Sequence, residues 1–217
     1  ISVAAYSYMS LVPLIQPPVI KLLTTKEERR IHMEYHESGV PKWLKILFPI
    51  AVTAISGFVA PISVPLVGSL MFGNLIRECG VMEKLSQVAQ NELASLVTLL
   101  LGITIGASMT AKNFVNKETL MIIFMGLVAF VFDTAGGVLF AKLVNLFLPK
   151  AKKINPMIGA CGISAFPMSA RIIQKMANDE ERGNIILMPA IGANVSGQLG
   201  SVIAGGLILA LVPLFAK

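Results

Sequence analysis

Charge is what this sequence has least of. Only 30 of its 217 residues are Asp, Glu, Lys or Arg, or 14%, where a soluble domain carries about 25%. So small a fraction excludes a disordered chain and a solvated repeat protein. Two cysteines exclude a disulfide scaffold; Cys79 and Cys161 also lack metal-ligand spacing and read as small apolar packers. The two histidines, His32 and His36, stand at i and i+4 in HMEYH, but the glutamate is not at the H-E-x-x-H offset. They read as a solvated surface. There is no phosphate-binding Walker loop, no dinucleotide fingerprint and no G-x-S-x-G elbow. What the chain does have is apolar: 55% hydrophobic residues and a mean hydropathy of +0.75. That composition belongs to an integral membrane protein.

The charges fall in clusters. Six basic residues lie between Lys21 and Lys45, four between Lys142 and Lys153, and three between Arg171 and Arg182. Between clusters run apolar stretches of bilayer length, about 20 residues for a spanning helix. With Lys21–Lys45 on the cytoplasmic side, the chain crosses at 93–111 and 118–141, and 46–76 leaves and returns as a broken pair. This path puts 15 basic residues inside against two at Lys112–Lys117, the asymmetry of the positive-inside rule. The net charge of +6 therefore requires no nucleic acid. Asp133 alone among the acids sits inside a span, and an intramembrane acid is a functional candidate by default. Thr134, Gly136 and Gly137 are its expected local partners.

Proline and glycine interrupt several of these stretches. Pro13, Pro17 and Pro18 mark the first, and Pro49, Pro61 and Pro65 the second. Residues 156–168, PMIGACGISAFPM, are too short to span. Residues 184–216 carry Pro189 and five glycines from Gly192 to Gly206. Backbone groups freed by proline and weakened by glycine must find protein or water inside the membrane. Two interrupted segments carrying Asn and Ser point to a binding site built from broken helices near mid-membrane. Gly102 and Gly106, by contrast, read as a helix-packing pair. Asn194 heads an N-V-S sequon, but within an apolar stretch no glycosyltransferase reaches. The fold expected is an all-α polytopic membrane protein with broken helices or re-entrant hairpins, one half of an inverted-repeat, transporter-like fold. Residues 1–217 form one membrane domain. The opening on Ile1, inside an apolar run, reads as the C-terminal portion of a longer subunit.

The stretches AAYSYMSLVPLIQPP, MFGNLIRECGV, INPMIGACGISAFPMSAR and NVSGQLGSVIAGG follow in this order. Together they resemble the membrane-embedded beta subunit of the biotin-dependent, sodium-pumping decarboxylases that act on oxaloacetate, methylmalonyl-CoA or glutaconyl-CoA. The resemblance implies a subunit that decarboxylates carboxybiotin, consumes a proton and exports sodium across a bacterial or archaeal inner membrane. It implies a carboxyltransferase alpha subunit, a biotin carrier, a small gamma- or delta-type membrane subunit and a homotrimer of beta subunits. Loops 21–45, 142–153 and 171–182 would be cytoplasmic.

The resemblance also implies roles. Asn155 and Asn194 would place amide oxygens on sodium, with Ser164 as a hydroxyl ligand or part of a proton path. Tyr8, or else Tyr6, would relay the proton, and Arg171 would attract the carboxylate of carboxybiotin. Gly159 and Gly197 would serve as hinges. The family's acidic sodium ligand belongs to an Asp-Gly-Pro segment upstream of this sequence, and Asp133 adjoins no family motif. Two other classes are compatible with the residues: a sodium-coupled carrier of an organic anion that does no chemistry, and a structural anchor for a soluble enzyme.

Overall fold

The computed structural model describes residues 2–33, 39–110, 115–149, 152–163, 165 and 168–215, without the side chains of residues 2, 3, 6, 7, 213 and 214. Every regular element among them is helical. The chain divides into two compact units, Ile1–His36 with Ser108–Gln198, and Glu37–Ala107 with Leu199–Lys217.

In the first unit, α1 (Ser2–Met9) and α2 (Val12–Leu23) are separated by a turn at Ser10 and Leu11. Pro17 and Pro18 lie inside α2. Neither has an N–H, so two carbonyls a turn earlier lose their helical partners. Thr24 closes α2 by donating both its N–H and its hydroxyl to Ile20 O. Thr25 then starts the one-turn helix α3 (Lys26–Arg29) with a capping box: its hydroxyl accepts from Glu28 N–H, and its own N–H donates to the Glu28 carboxylate.

The longest helix runs from Lys117 to Phe147, capped by Asn116, whose side chain accepts from Thr119 N–H at 2.7 Å. Its 31 residues rise about 46 Å at 1.5 Å each, well over the roughly 30 Å of hydrocarbon in a bilayer. Thr134, Val138, Ala141 and Asn145 form its buried stripe, while Phe124, Phe132 and Phe140 are exposed. Against that stripe pack α1, α2 and a six-residue 3₁₀ helix, Pro156–Cys161. A polar-topped helix, Met168–Glu180, covers α2 and the 3₁₀ helix. The core joins Ile20, Val138, Met157, Cys161, Ile173 and Ile186.

The second unit begins with α4 (Lys42–Val59). It breaks at Ala60 into a 3₁₀ turn, Pro61–Ser63, and reverses into α5 (Val64–Cys79). This is the broken pair expected over 46–76. Gly80 ends α5 at φ +70°, a backbone glycine adopts without a Cβ clash. Helical backbone then runs from Glu83 to Ser108: α6 (Glu83–Val88), a π turn at Ala89–Leu93, and α7 (Ala94–Ser108). With the 3₁₀ helix and its cover already placed, the helices after α7 are numbered α8 (Lys117–Phe147), α9 (Met168–Glu180) and α10 (Leu187–Phe215).

Among the described residues, four helical stretches are long and apolar enough to cross a membrane: Lys42–Val59, Glu83–Ser108, Lys117–Phe147 and Leu187–Val212. The chain is therefore an all-α, multi-pass membrane protein. One sequence expectation is corrected here. The Gly-rich stretch over 184–216 is not interrupted, because α10 runs unbroken through all its glycines. Pro189 lies in the first turn, where the missing N–H has no helical acceptor anyway. Gly197 is held helical by packing, as described next.

Candidate functional site

The 3₁₀ helix Pro156–Cys161 is gripped at each end by an asparagine. At its start, fully buried Asn155 accepts from Met157 N–H at 3.1 Å and donates to the carbonyls of Arg29 (2.8 Å) and Ile31 (3.0 Å). At its finish, fully buried Asn194 of α10 donates to Cys161 O (2.9 Å) and Ile163 O (2.7 Å). A carbonyl only accepts, so both contacts must be to the amide nitrogen, and this fixes which way Asn194 faces. Its oxygen Oδ1 is left buried, with no hydrogen-bond partner among the described residues.

The walls are backbone against backbone. A Cβ at Gly137 would overlap Gly159 O, one at Gly159 would overlap Gly137 O, and one at Gly197 would overlap the carbonyl of Gly162. These contacts let α8 and α10 reach the 3₁₀ backbone directly. They place Gly159 and Gly197 as close-packing positions between elements. In the middle, Gln16 of α2 donates to Ala160 O at 2.9 Å and bonds the hydroxyl of Ser169, in the first turn of α9, at 2.7 Å. Both side chains are fully buried. Three helices are thereby pinned to consecutive stretches of one short segment.

The remaining expected site residues are distributed around this assembly. Tyr8 is half-buried; its ring stands edge-on to Phe130 at 5.4 Å between centroids, and its hydroxyl has no hydrogen-bond partner among the described residues. The ring lies flat over Gly126, where a Cβ would come within 2.6 Å of it. Tyr6 lies in α1, but its side chain is outside the description, and Ser164 is outside the described residues altogether. Arg171 is exposed on α9 with no ion pair among the described residues. Asp133 is exposed on α8, one turn before Gly137. Thr134 does not satisfy it, because Thr134 is fully buried with its own hydroxyl unpartnered. His32 faces Glu181 at 3.3 Å, His36 lies outside the described residues, and both Cys79 and Cys161 are free thiols. No His, Cys, Asp or Glu cluster with metal-site spacing occurs among the described residues.

The charged segment after α2 is more than a solvated loop. Arg29 is buried; its Nε donates to Glu180 Oε1 at 2.7 Å and its Nη1 to Thr24 O at 2.6 Å. Glu28 takes Lys142 of α8 at 3.1 Å. Partial burial pushes the Glu28 carboxyl up, but the Thr25 N–H bond and the Lys142 ammonium outweigh it and hold the group below its ordinary value. Beside this segment a pocket of about 480 Å³ opens between α2, α3 and α9. Lys21, Lys26 and Lys175 line it without ion-pair partners among the described residues, over an apolar wall that includes Pro17, Ile172 and Met176. Of the two acids on its lining, Glu180 is neutralised by Arg29, while Asp179 sets one negative charge against the three lysines, so the lining is net basic.

Sequence reasoning missed Gln16, Ser169, Arg29 and Glu180. Gln16 carried a signal, a polar amide beside two prolines within an apolar run. Thr25 to Glu28 spelled a capping box. Nothing in the sequence paired Arg29 with a residue 151 positions away.

Over residues 1–212 the chain matches the family described as Na+-transporting oxaloacetate decarboxylase beta subunit. It is 48% identical over 212 residues to the oxaloacetate decarboxylase beta chain of Klebsiella pneumoniae, covering 98% of this chain and 48% of that one. It is 48% identical over 212 residues to the glutaconyl-CoA decarboxylase subunit beta of Acidaminococcus fermentans, covering 98% and 56%. The same identity and coverage hold for the methylmalonyl-CoA decarboxylase subunit beta of Veillonella parvula. The chain spans about half the length of these relatives.

Proposed function

Because the chain belongs to the Na+-transporting oxaloacetate decarboxylase beta subunit family, we propose that it is the sodium-handling part of a membrane subunit that decarboxylates carboxybiotin. The observation that carries this reading is the oxygen of Asn194: buried, oriented by two carbonyls, and unpartnered. An unsatisfied buried acceptor costs about 1–3 kcal/mol. A hard cation prefers oxygen donors and relieves that cost. Asn155 supports the site differently, since its amide hydrogens are already committed to backbone. Its oxygen retains one lone pair beyond the Met157 contact.

In the reaction, the bond between the biotin ring nitrogen and the carboxylate carbon breaks. The electron pair stays on nitrogen, CO2 leaves, and a proton is added to the nitrogen. Tyr8 is the proposed relay, because a phenol both donates and accepts and its hydroxyl is uncommitted here; Ser164 is its proposed companion. Arg171 and the lysine-lined pocket beside it draw the carboxylate in. Exporting one charge against 100 mV costs about 2.3 kcal/mol, within reach of one decarboxylation if proton access requires bound sodium.

The proposed assembly is a multi-pass protein of a bacterial or archaeal cell membrane with loops 21–45, 142–153 and 171–182 cytoplasmic. Residues 1–217 act as one membrane domain, working with a carboxyltransferase subunit, a biotin carrier and a gamma-type subunit, as a homotrimer. The test is sodium uptake by proteoliposomes holding the full complex, supplied in turn with oxaloacetate, glutaconyl-CoA and methylmalonyl-CoA. One of these acids drives uptake, and avidin blocks it. Uptake that ignores avidin refutes the reading and makes the protein a plain sodium-coupled carrier.

A further inference from the structure

The segment Thr24–Ile31 touches both chemically important ends of the first unit. Its carbonyls at Arg29 and Ile31 receive the two amide hydrogens of Asn155. Its Arg29 side chain, 6% exposed, reaches in the opposite sense to Glu180, 17% exposed, in the last turn of α9. The guanidinium is oriented by Thr24, through O at 2.6 Å and Oγ1 at 3.2 Å. Thr24 is buried too and tied back to Ile20 O at 2.6 Å. Glu28 anchors the same segment to α8 through Lys142. The other end of α9 carries Ser169, bonded to Gln16 and Ala160 O, and then Arg171. A closed mechanical loop results. It runs from Asn155 to the Arg29 backbone, through the Arg29 side chain to Glu180, along α9 to Ser169, and back to the 3₁₀ helix at Ala160.

A buried ion pair of this kind does little for net stability against an apolar substitute, and its best-attested use is to fix one arrangement among several. Arg29 uses its planar fork to hold two acceptors at once, Glu180 and Thr24, in a fixed geometry that a lysine's rotatable ammonium does not impose. We infer that Arg29 and Glu180 are positioning residues that set the sodium response of decarboxylation. The pair holds the carbonyls on Asn155 in register with the α9 helix that presents Arg171. This inference rests on the functional reading above. When the pair loosens, the Asn155 end of the site and the carboxylate-facing helix no longer move as one body. Sodium then binds a less organised site, while the reacting groups themselves are unchanged.

The test uses the full complex and measures two quantities separately, the half-saturating sodium concentration and the maximum rate of carboxybiotin decarboxylation. Glu180→Gln keeps an acceptor oxygen at the same reach and removes the charge. Arg29→Lys keeps the charge and removes the fork. Both raise half-saturating sodium about tenfold, at the low end of the 5–150-fold expected for coupled sites, and change the maximum rate less than threefold. Glu180→Asp restores most of the sodium response. Glu78→Gln, which breaks the exposed 3.7 Å pair with Lys45, leaves both quantities at wild-type values. A merely structural role lowers the amount of assembled complex and the maximum rate together, with half-saturating sodium unmoved; that result overturns the inference. Failure of both main variants to assemble assigns the pair to folding and overturns it equally. A wild-type complex without sodium-dependent decarboxylation overturns instead the functional reading on which the inference stands.

Discussion

Replacing Asn194 by alanine separates its two jobs, and each has a magnitude that follows from the structure. The amide nitrogen satisfies two buried carbonyls, Cys161 O at 2.9 Å and Ile163 O at 2.7 Å. Leaving an acceptor unsatisfied costs about 1–3 kcal/mol in a soluble core, while interhelical hydrogen bonds within membranes average nearer 0.6 kcal/mol. Asn194→Ala is therefore expected to destabilise the complex by about 1–6 kcal/mol in total, whatever its ion chemistry. The orphaned oxygen predicts a second loss. Valued as one charge-assisted contact of about 1.5–3 kcal/mol, its removal raises half-saturating sodium about 10- to 150-fold at 1.4 kcal/mol per tenfold. Melting of the purified complex in sodium and in choline chloride distinguishes the two losses without any turnover. Sodium that binds only the folded form stabilises by about 2.7 kcal/mol at a hundred times its dissociation constant. The wild type melts higher in sodium by that margin. Asn194→Ala melts lower in choline and loses the sodium increment. A folded Asn194→Ala variant with the full increment refutes the assignment of the oxygen to sodium.

Three further outcomes follow from other contacts. Gly126→Ala puts a methyl 2.6 Å from the Tyr8 ring, so the ring turns or α1 shifts. Overpacking of this kind costs about 1–3 kcal/mol, and the pH profile of decarboxylation shifts with the displaced relay; an unmoved profile at reduced stability removes Tyr8 from the proton path. Glu28 is held below its ordinary value of 4.5. Its contribution to stability is complete above that value and is lost as the pH falls through the lower folded-state value. Melting followed from pH 6 down to pH 3 shows that loss in the wild type and a smaller one in Glu28→Gln. Asp133→Asn removes the one charge within α8's apolar stretch and leaves both asparagines in place. Sodium-dependent decarboxylation is expected to persist, and its abolition places Asp133 on the ion path.

The spans and most of the breaks were legible because bilayer length and the positions of proline are written locally. Pro61 and Pro65 mark a reversal wherever they occur after an 18-residue apolar helix. Glycine was a less faithful signal. Its helix-weakening entropy is the same in 156–161 and in 192–206, yet only the first leaves the α-helical form. The difference lies in what each glycine faces. Gly197 stays in α10 because a helix continuing past the Gly162 carbonyl gains a backbone-close contact, a gain set by a partner 35 positions away. The same limit hid the Arg29–Glu180 pair. Charge clusters were read as solvated loops because loops usually are. Burial of an arginine is decided by the helix that lands on it.

The two asparagines show how far a residue-type argument reaches. Residue type alone made Asn155 and Asn194 equivalent candidates. Their hydrogen bonds make them complementary. Asn155 has its nitrogen on Arg29 at the end of α3 and on Ile31 just beyond, and its oxygen on the 3₁₀ N-terminus; Asn194 has its nitrogen on the 3₁₀ C-terminus and its oxygen on nothing among the described residues. Both amides brace the same six residues, so a cation drawn to the free oxygen loads a segment already clamped at its far end. Gln16 prevents that segment from yielding in the middle, at Ala160. Under the proposed sodium assignment, strain at that oxygen would pass to Ser169 and α9, where Arg171 sits. The break that proline and glycine make at 156–161 is what presents the Cys161 and Ile163 carbonyls to Asn194, and those two bonds leave its oxygen without a partner among the described residues.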